Sequence, residues 1–314
     1  MKILFFDDFR LGVIEGRGAT EHVVDVSEAV ADLSNLRPQD LIREVIERFD
    51  DYRPRLERAV HRGHVIPAHM VRIRSPLPHP SNIVCMAVNY MEDGTLEEAP
   101  PINAFLKSPS SVIGPGDTMV LPDVPAGAFE GEAELGVVIG RRASHVKAED
   151  AMDYIFGYVN FIDGSARGLP PPTNVFYQMK SRDTFAPLGP YIVTTEEIGD
   201  PQNLAVRLWV NGELKQNFST NDMAHNISRC IEWVSSIHTL EVGDVLATGT
   251  NHRGLSCLQD GDAVELECEG CGRLRISVTD DLKRAWARDT RLEHSAKGLP
   301  GRFTPQISGK YSEK

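Results

Sequence analysis

No apolar run in this 314-residue chain approaches the ~20 residues that cross a bilayer, so no segment reads as a membrane span. Positive charge is also in short supply: 33 Lys and Arg stand against 45 Asp and Glu, a net charge of −12. That deficit argues against nucleic acid or an anionic membrane as a partner. Cysteine is sparse. Five residues are an odd number in a chain this long and point to reduced thiols in a cytoplasmic protein. Cys268 and Cys271 form a CxxC with no second ligand pair, which makes a weak case for zinc or a redox couple. The opening MKILFFDDFRLGV is a poor signal peptide, because its apolar stretch is short and acids interrupt it. There is no internal repeat and no low-complexity tract.

What remains is the profile of a globular protein, 41% apolar and 25% charged. Residues 1–75 read as a small leading α/β domain. KILFFDD and LGVIEG form strands about a turn, and a helix over 38–60 places Leu41, Val45 and Phe49 on one face, with a kink or break at Pro54. Pro76, Pro78 and Pro80 mark a stiff connection into residues 76–283. There the strands are SNIVCMAV, SSVIGPGDTMVLP, AELGVVIG, GYVNFID and a hairpin about Asn211-Gly212. NDMAHNISRCIEWVSSI reads as a helix with Met223, Ile227, Ile231 and Val234 on one stripe and Asn221 or Asp222 as N-cap. Strands outnumber helices and few strand–helix–strand units occur, so the class is α+β, predominantly β. Residues 284–314 read as a charged tail.

The chemistry concentrates in four segments. Glu130, Glu132 and Glu134 alternate at the start of the apolar strand AELGVVIG, and alternate strand residues share a face. Like charges stacked at the head of a core strand are costly unless neutralised. A hard divalent cation is one answer; a solvated acidic edge is another. Asp163 follows the apolar GYVNFI, as a ligand or as a turn or helix cap. Lys180 precedes the rigid APLGP loop, and Thr248-Gly249-Thr250 makes a small-residue turn after EVGDVLA. Taken singly, these also fit an exposed lysine and an ordinary glycine turn.

Together and in this order, the segments resemble the fumarylacetoacetate hydrolase family, in its bacterial acylpyruvase and 2-hydroxyhepta-2,4-diene-1,7-dioate isomerase-like branch. The likeness runs from about Ser81 to Val278, through FLKSPSSVIGPGDTMVLP, GEAELGVVIG, DTFAPLGP, VNGELKQ and TLEVGDVLATGT. It implies a rolled, mixed β-sheet domain behind a small N-terminal domain, usually a homodimer. It implies Mg²⁺ or Mn²⁺ held by Glu132, Glu134 and Asp163, with Glu130 outside the set and solvated. Lys180 and Gln178 take catalytic roles, and Tyr90, Lys107 and Thr250 contact substrate. The substrate is a small anionic 2-oxo or 1,3-diketo acid. The metal supplies a Lewis acid for the enolate formed on C–C cleavage, and Lys180 steadies the oxyanion and helps admit an anion to a negative site.

The chain departs from the family in its lid. After Asn89-Tyr90 the family's histidine and glutamate are replaced by Asp93 and Leu96. Asp93 is the candidate base, with Glu92, Glu97 and Glu98 as alternatives, or else the segment is simply acidic and solvated. Asn251 replaces the usual proline of the threonine turn, and His252 beside it reads as a surface residue or a substrate contact. The expected activity is hydrolysis of a C–C bond in an acylpyruvate-like acid. The same site without activated water would give decarboxylation, tautomerisation or hydration, and a third possibility is a non-catalytic acid binder.

Overall fold

The structure, a computed structural model, describes residues 1–312 apart from 17, 172, 174 and 300–302. The chain opens with the strands β1 (Lys2–Phe6), β2 (Arg10–Glu15) and β3 (His22–Asp25), continues through two helices, α1 (Pro38–Glu47) and α2 (Phe49–Arg62), and returns to strands β4 (Val65–Pro67) and β5 (Ile73–Arg74). The helical break falls at Arg48, whose φ of −113° and ψ of 36° leave the helical region, and Pro54 lies inside α2.

Next come β6 (Ile83–Met86), β7 (Ala104–Lys107), β8 (Val112–Ile113) and β9 (Thr118–Val120), then the long pair β10 (Ala128–Ile139) and β11 (Ile155–Arg167). The short α3 (Phe176–Lys180) leads into β12 (Ala186–Thr194). The expected hairpin is β13 (Ala205–Val210) and β14 (Glu213–Ser219), closed by Asn211 and Gly212 at φ 53° and 79°, the left-handed pair of a tight type I′ turn. α4 (Ile227–Ile237) begins at Asn226, whose side chain accepts from the Arg229 N–H. Met223 therefore lies before the helix, bridged to Tyr90. β15 (Val245–Ala247), β16 (Ala263–Cys268), β17 (Leu274–Thr279), β18 (Ala285–Trp286), α5 (Arg291–Ala296) and β19 (Gln306–Ser308) complete the chain.

A mixed 12-stranded sheet runs β4-β3-β2-β1-β12-β11-β10-β15-β6-β7, with β5 and β8 joined off this path. The leading segment is part of it: β1 pairs with β12 at Lys2↔Val193. A second, five-stranded sheet, β14-β13-β16-β17-β9, has the alternating burial of a half-covered sheet. β10 and nearly all of β11 are buried, which is why they read as largely apolar runs, with the carboxylates standing out against them. They pair antiparallel with Glu132 opposite Asp163 and Gly131 opposite Gly164. A Cβ on Gly164 would meet the Phe185 carbonyl oxygen at 2.9 Å, so glycine lets the chain close in beside Asp163.

The residues expected as a tail are packed against this core. Trp286 donates its indole N–H to the Gly127 carbonyl at 2.7 Å, and buried Arg284 bonds Asp280, Val124 and Pro122. α5 opens with a capping box between Thr290 and Glu293. All five cysteines are buried and free, and burial pushes the Cys271 thiol up to about 12. The CxxC thus offers no reactive thiolate.

Candidate active site

The β10–β11 register brings Glu132, Glu134 and Asp163 together, with one oxygen from each carboxylate within 4.8 Å of the others. All three are buried. Their charges are compensated unequally. Lys180 Nζ donates to Glu132 Oε2 at 2.6 Å and to Asp163 Oδ2 at 2.5 Å. Arg167 also pairs with Glu132. Against the penalty of burial, Lys180 and Arg167 hold Glu132 well below the usual carboxylate range. Glu134 forms no ion pair among the described residues; its oxygen accepts only the Gly249 N–H, at 2.8 Å. Burial, with Asp163 and Glu132 beside it, pushes the Glu134 carboxyl well up. Burial also raises Asp163, against the pull of Lys107 and Lys180. A buried carboxylate without a cation, aimed into an all-oxygen cluster, fits a hard divalent metal such as Mg²⁺ or Mn²⁺.

Glu130 is a correction: it is not solvated but 2% exposed. Two guanidinium groups hold it. Arg167 Nε donates at 2.9 Å and Arg291 Nε at 2.8 Å, the latter arriving from the C-terminal segment. Arg167 thus spans Glu130 and Glu132. The site is also richer in cations than three carboxylates and one lysine imply, since Lys107, Lys180, Arg167 and Arg291 all pair within it.

Beside the cluster lies a cavity of about 640 Å³ whose polar lining residues include Glu132, Arg167, Lys180, Thr250 and His252. Apolar walls come from Met86, Phe105 and Phe176, the two rings stacked at 4.7 Å. Lys180 and Thr250 therefore reach the cavity, and Thr250 Oγ1 is fixed by the Gln216 side chain at 2.8 Å. Lys107 does not. Its ammonium is spent on Asp163 Oδ1 at 2.6 Å, the Gly164 carbonyl at 3.0 Å and the Lys180 carbonyl. Three acceptors use all three N–H donors and leave none for substrate. Tyr90 is fully buried with its ring edge-on to Phe218 at 5.0 Å, away from the cavity. Gln178 turns to the Pro170 carbonyl at 2.5 Å and lines a separate surface depression. Two positions of the loop GLPPPTNVFY, 172 and 174, lie outside the described residues.

In the lid, the structure places Asp93 beside Asn251 Nδ2 at 3.1 Å and Arg253 Nη1 at 3.3 Å, half exposed and outside the cavity. Asn251, where the family has proline, thereby ties lid to turn. Glu92 points inward instead. Its carboxylate accepts from His252 Nδ1 at 2.6 Å and from the His252 backbone N–H at 2.9 Å. His252 is a lining residue rather than a surface one. The missed signal was its place two residues after Thr250 in a turn already marked as functional.

The fumarylacetoacetate (FAA) hydrolase C-terminal profile matches residues 82–279. Maleylpyruvate hydrolase of Aquipseudomonas alcaligenes is 32% identical over 294 residues, covering 88% of this chain and 99% of that protein. The mitochondrial oxaloacetate tautomerase fahd2 of Xenopus laevis is 36% identical over 227 residues, covering 68% and 70%. The crystal structure of maleylpyruvate hydrolase from Sphingobium sp. SYK-6, in complex with manganese(II) ion and pyruvate, superposes with a TM-score of 0.80 at 32% identity, covering 89% and 99%. The chain belongs to the fumarylacetoacetate hydrolase family.

Proposed function

We propose that this protein is a Mg²⁺- or Mn²⁺-dependent hydrolase that cleaves the C–C bond of an acylpyruvate-type 2-oxo acid, acting as a cytoplasmic homodimer on a small anionic substrate. The observation that carries the reading is the buried triad, with Glu134 lacking an ion pair among the described residues and Glu132 lining a cavity together with Lys180 and Thr250. Likeness to maleylpyruvate hydrolase over nearly the whole chain supports the hydrolytic reading. Glu132, Glu134 and Asp163 would hold the cation, which supplies Lewis-acid stabilisation of developing oxyanion charge.

The chain's own groups account for the rest. Asp163 and Glu132 outweigh burial and raise the Lys180 ammonium above its ordinary value, so it stays charged and donates to an oxygen as negative charge develops. The Thr250 hydroxyl, its oxygen already accepting from Gln216, is left free to donate its own proton to a substrate oxygen. Lys107 keeps Asp163 in place from below.

The test follows the enol absorbance of an acylpyruvate with protein and Mg²⁺ or Mn²⁺. Disappearance of the band with stoichiometric pyruvate and a second carboxylic acid supports hydrolysis. Absence of both products across a panel of acylpyruvates contradicts it. A second reading, tautomerisation of a 2-oxo acid at the same site, is favoured by the 36% identity to the Xenopus oxaloacetate tautomerase, and keto–enol interconversion without cleavage is its signature.

A further inference from the structure

We propose that His252, oriented by Glu92, is the general base that activates water in this site. The inference rests on the hydrolytic reading and names the residue that carries its proton.

Elimination among the described polar groups lining the cavity leads there first. Arg167 is permanently protonated, and the Lys180 ammonium is already engaged by Glu132 and Asp163 at 2.6 and 2.5 Å. Glu132 belongs to the metal set and is already engaged by Lys180 and Arg167. Thr250 is too weak a base to accept a proton from water. His252 alone combines a place in the cavity with a ring nitrogen of the kind that takes up a proton in general-base catalysis.

Geometry then assigns the nitrogen. A carboxylate accepts but does not donate, so the 2.6 Å contact to Glu92 Oε1 fixes the proton on Nδ1. In the neutral imidazole the Nε2 lone pair is then the acceptor. Nε2 stands 3.8 Å from Glu132 Oε1, too far for a hydrogen bond and close enough for both to meet one water. The second bond, from the His252 N–H to Glu92 Oε2, clamps the carboxylate to this one residue.

The lid backbone is shaped to deliver Glu92. Glu92, Asp93 and Gly94 take φ values of 56°, 56° and 73° in succession. Left-handed non-glycine residues persist where surrounding contacts over-determine them, and they cluster at functional sites. Here Asp222 accepts from the Met91 and Asp93 N–H groups at 2.8 and 3.0 Å, and Arg253 donates to the Glu92 carbonyl at 3.3 Å. Base and orienting carboxylate thus come from different segments, the threonine turn and the lid.

In the reaction, Nε2 takes a proton from water as the water oxygen bonds to the acyl carbonyl carbon. The bond from that carbon to C3 of the pyruvyl part then breaks, and its electron pair passes into the enolate. Return of the proton from Nε2 to C3 gives pyruvate and the carboxylic acid, with no other reactant consumed.

The experiment compares wild type with H252Q, H252A and E92Q at saturating Mn²⁺. H252Q should lose ~10²-fold or more in kcat for acylpyruvate hydrolysis, while Mn²⁺ affinity by electron paramagnetic resonance and the inhibition constant of oxalate stay at wild-type values. Added imidazole should restore part of the H252A rate. Glu92 is the positioning residue: E92Q should lower kcat with KM unchanged, and in the metal-free protein it should remove a downfield His252 Nδ1–H proton resonance seen in wild type. H252Q that keeps its kcat, or that loses Mn²⁺ along with activity, overturns the assignment alone. A wild-type protein that cleaves no acylpyruvate overturns the hydrolytic reading and the role of His252 with it.

Discussion

Glu134 and Gly249 meet at 2.8 Å, carboxylate oxygen to backbone N–H, and this is the only hydrogen bond the buried Glu134 side chain makes among the described residues. A neutral donor cannot balance a buried charge. Burial and the neighbouring Asp163 and Glu132 therefore raise the Glu134 carboxyl. A group raised on folding contributes stability below its unfolded value, ~4.3 for glutamate, and that contribution is lost as pH rises through the folded value. Metal-free protein should accordingly lose stability above the ordinary glutamate range, and a bound divalent cation should restore it. The gain in Tm on adding Mn²⁺ should grow as pH rises, approaching the equivalent of ~2.7 kcal/mol at a metal concentration 100 times Kd. Glu134→Gln should abolish that gain while leaving the metal-free protein at least as stable at alkaline pH. Differential scanning fluorimetry across pH, with and without Mn²⁺, decides it; a Tm gain that survives in E134Q would move the metal elsewhere.

The two buried lysines should separate cleanly. Lys180 faces the cavity, so Lys180→Met should lower kcat by ~10²-fold or more with metal still bound. Lys107 is saturated by Asp163 and two carbonyls. Its loss leaves a buried carboxylate with one partner fewer, and Lys107→Met should destabilise the fold by ~3–5 kcal/mol. Urea denaturation and steady-state kinetics on both variants make the comparison. A Lys107→Met protein of normal stability and raised KM would return Lys107 to substrate contact.

Arg291 tests the C-terminal segment. It lies beyond the matched residues 82–279 and yet pairs with Glu130 inside the site, its guanidinium resting 4.9 Å from the Phe303 ring that also lines the cavity. Arg291→Met should cost about 1–3 kcal/mol by leaving Glu130 a single charged partner, and should lower kcat as Arg167 is drawn from Glu132 toward Glu130. Unchanged stability and rate would make the segment a passive cover.

Much of the site was legible because strand periodicity is rigid. Glu132 and Glu134 share a face by arithmetic alone, and the apolar run around Asp163 announces that it is buried. The same arithmetic also brings in Glu130, but where its charge goes depends on Arg291, 161 residues away in the chain, and no local pattern encodes that. Lys107 and Lys180 look alike in sequence; only the tertiary count of acceptors separates an anchoring lysine from one that faces substrate. The lid shows the limit most plainly. Asp93 occupies the right position in the alignment of motifs, but left-handed backbone at Glu92 and Asp93 rotates the neighbouring carboxylate inward instead. The helix starts at Asn226 rather than Asn221 or Asp222, with Met223 held ahead of it in a long-range bridge to Tyr90 that no local pattern encodes.

The most direct measurement is a metal titration of exhaustively chelated protein, with acylpyruvate cleavage as the readout. Chelated protein should be inactive, and activity should return to a plateau at one Mn²⁺ per chain, with Glu134→Gln inactive throughout. Full activity in chelated wild-type protein would contradict the account at its centre.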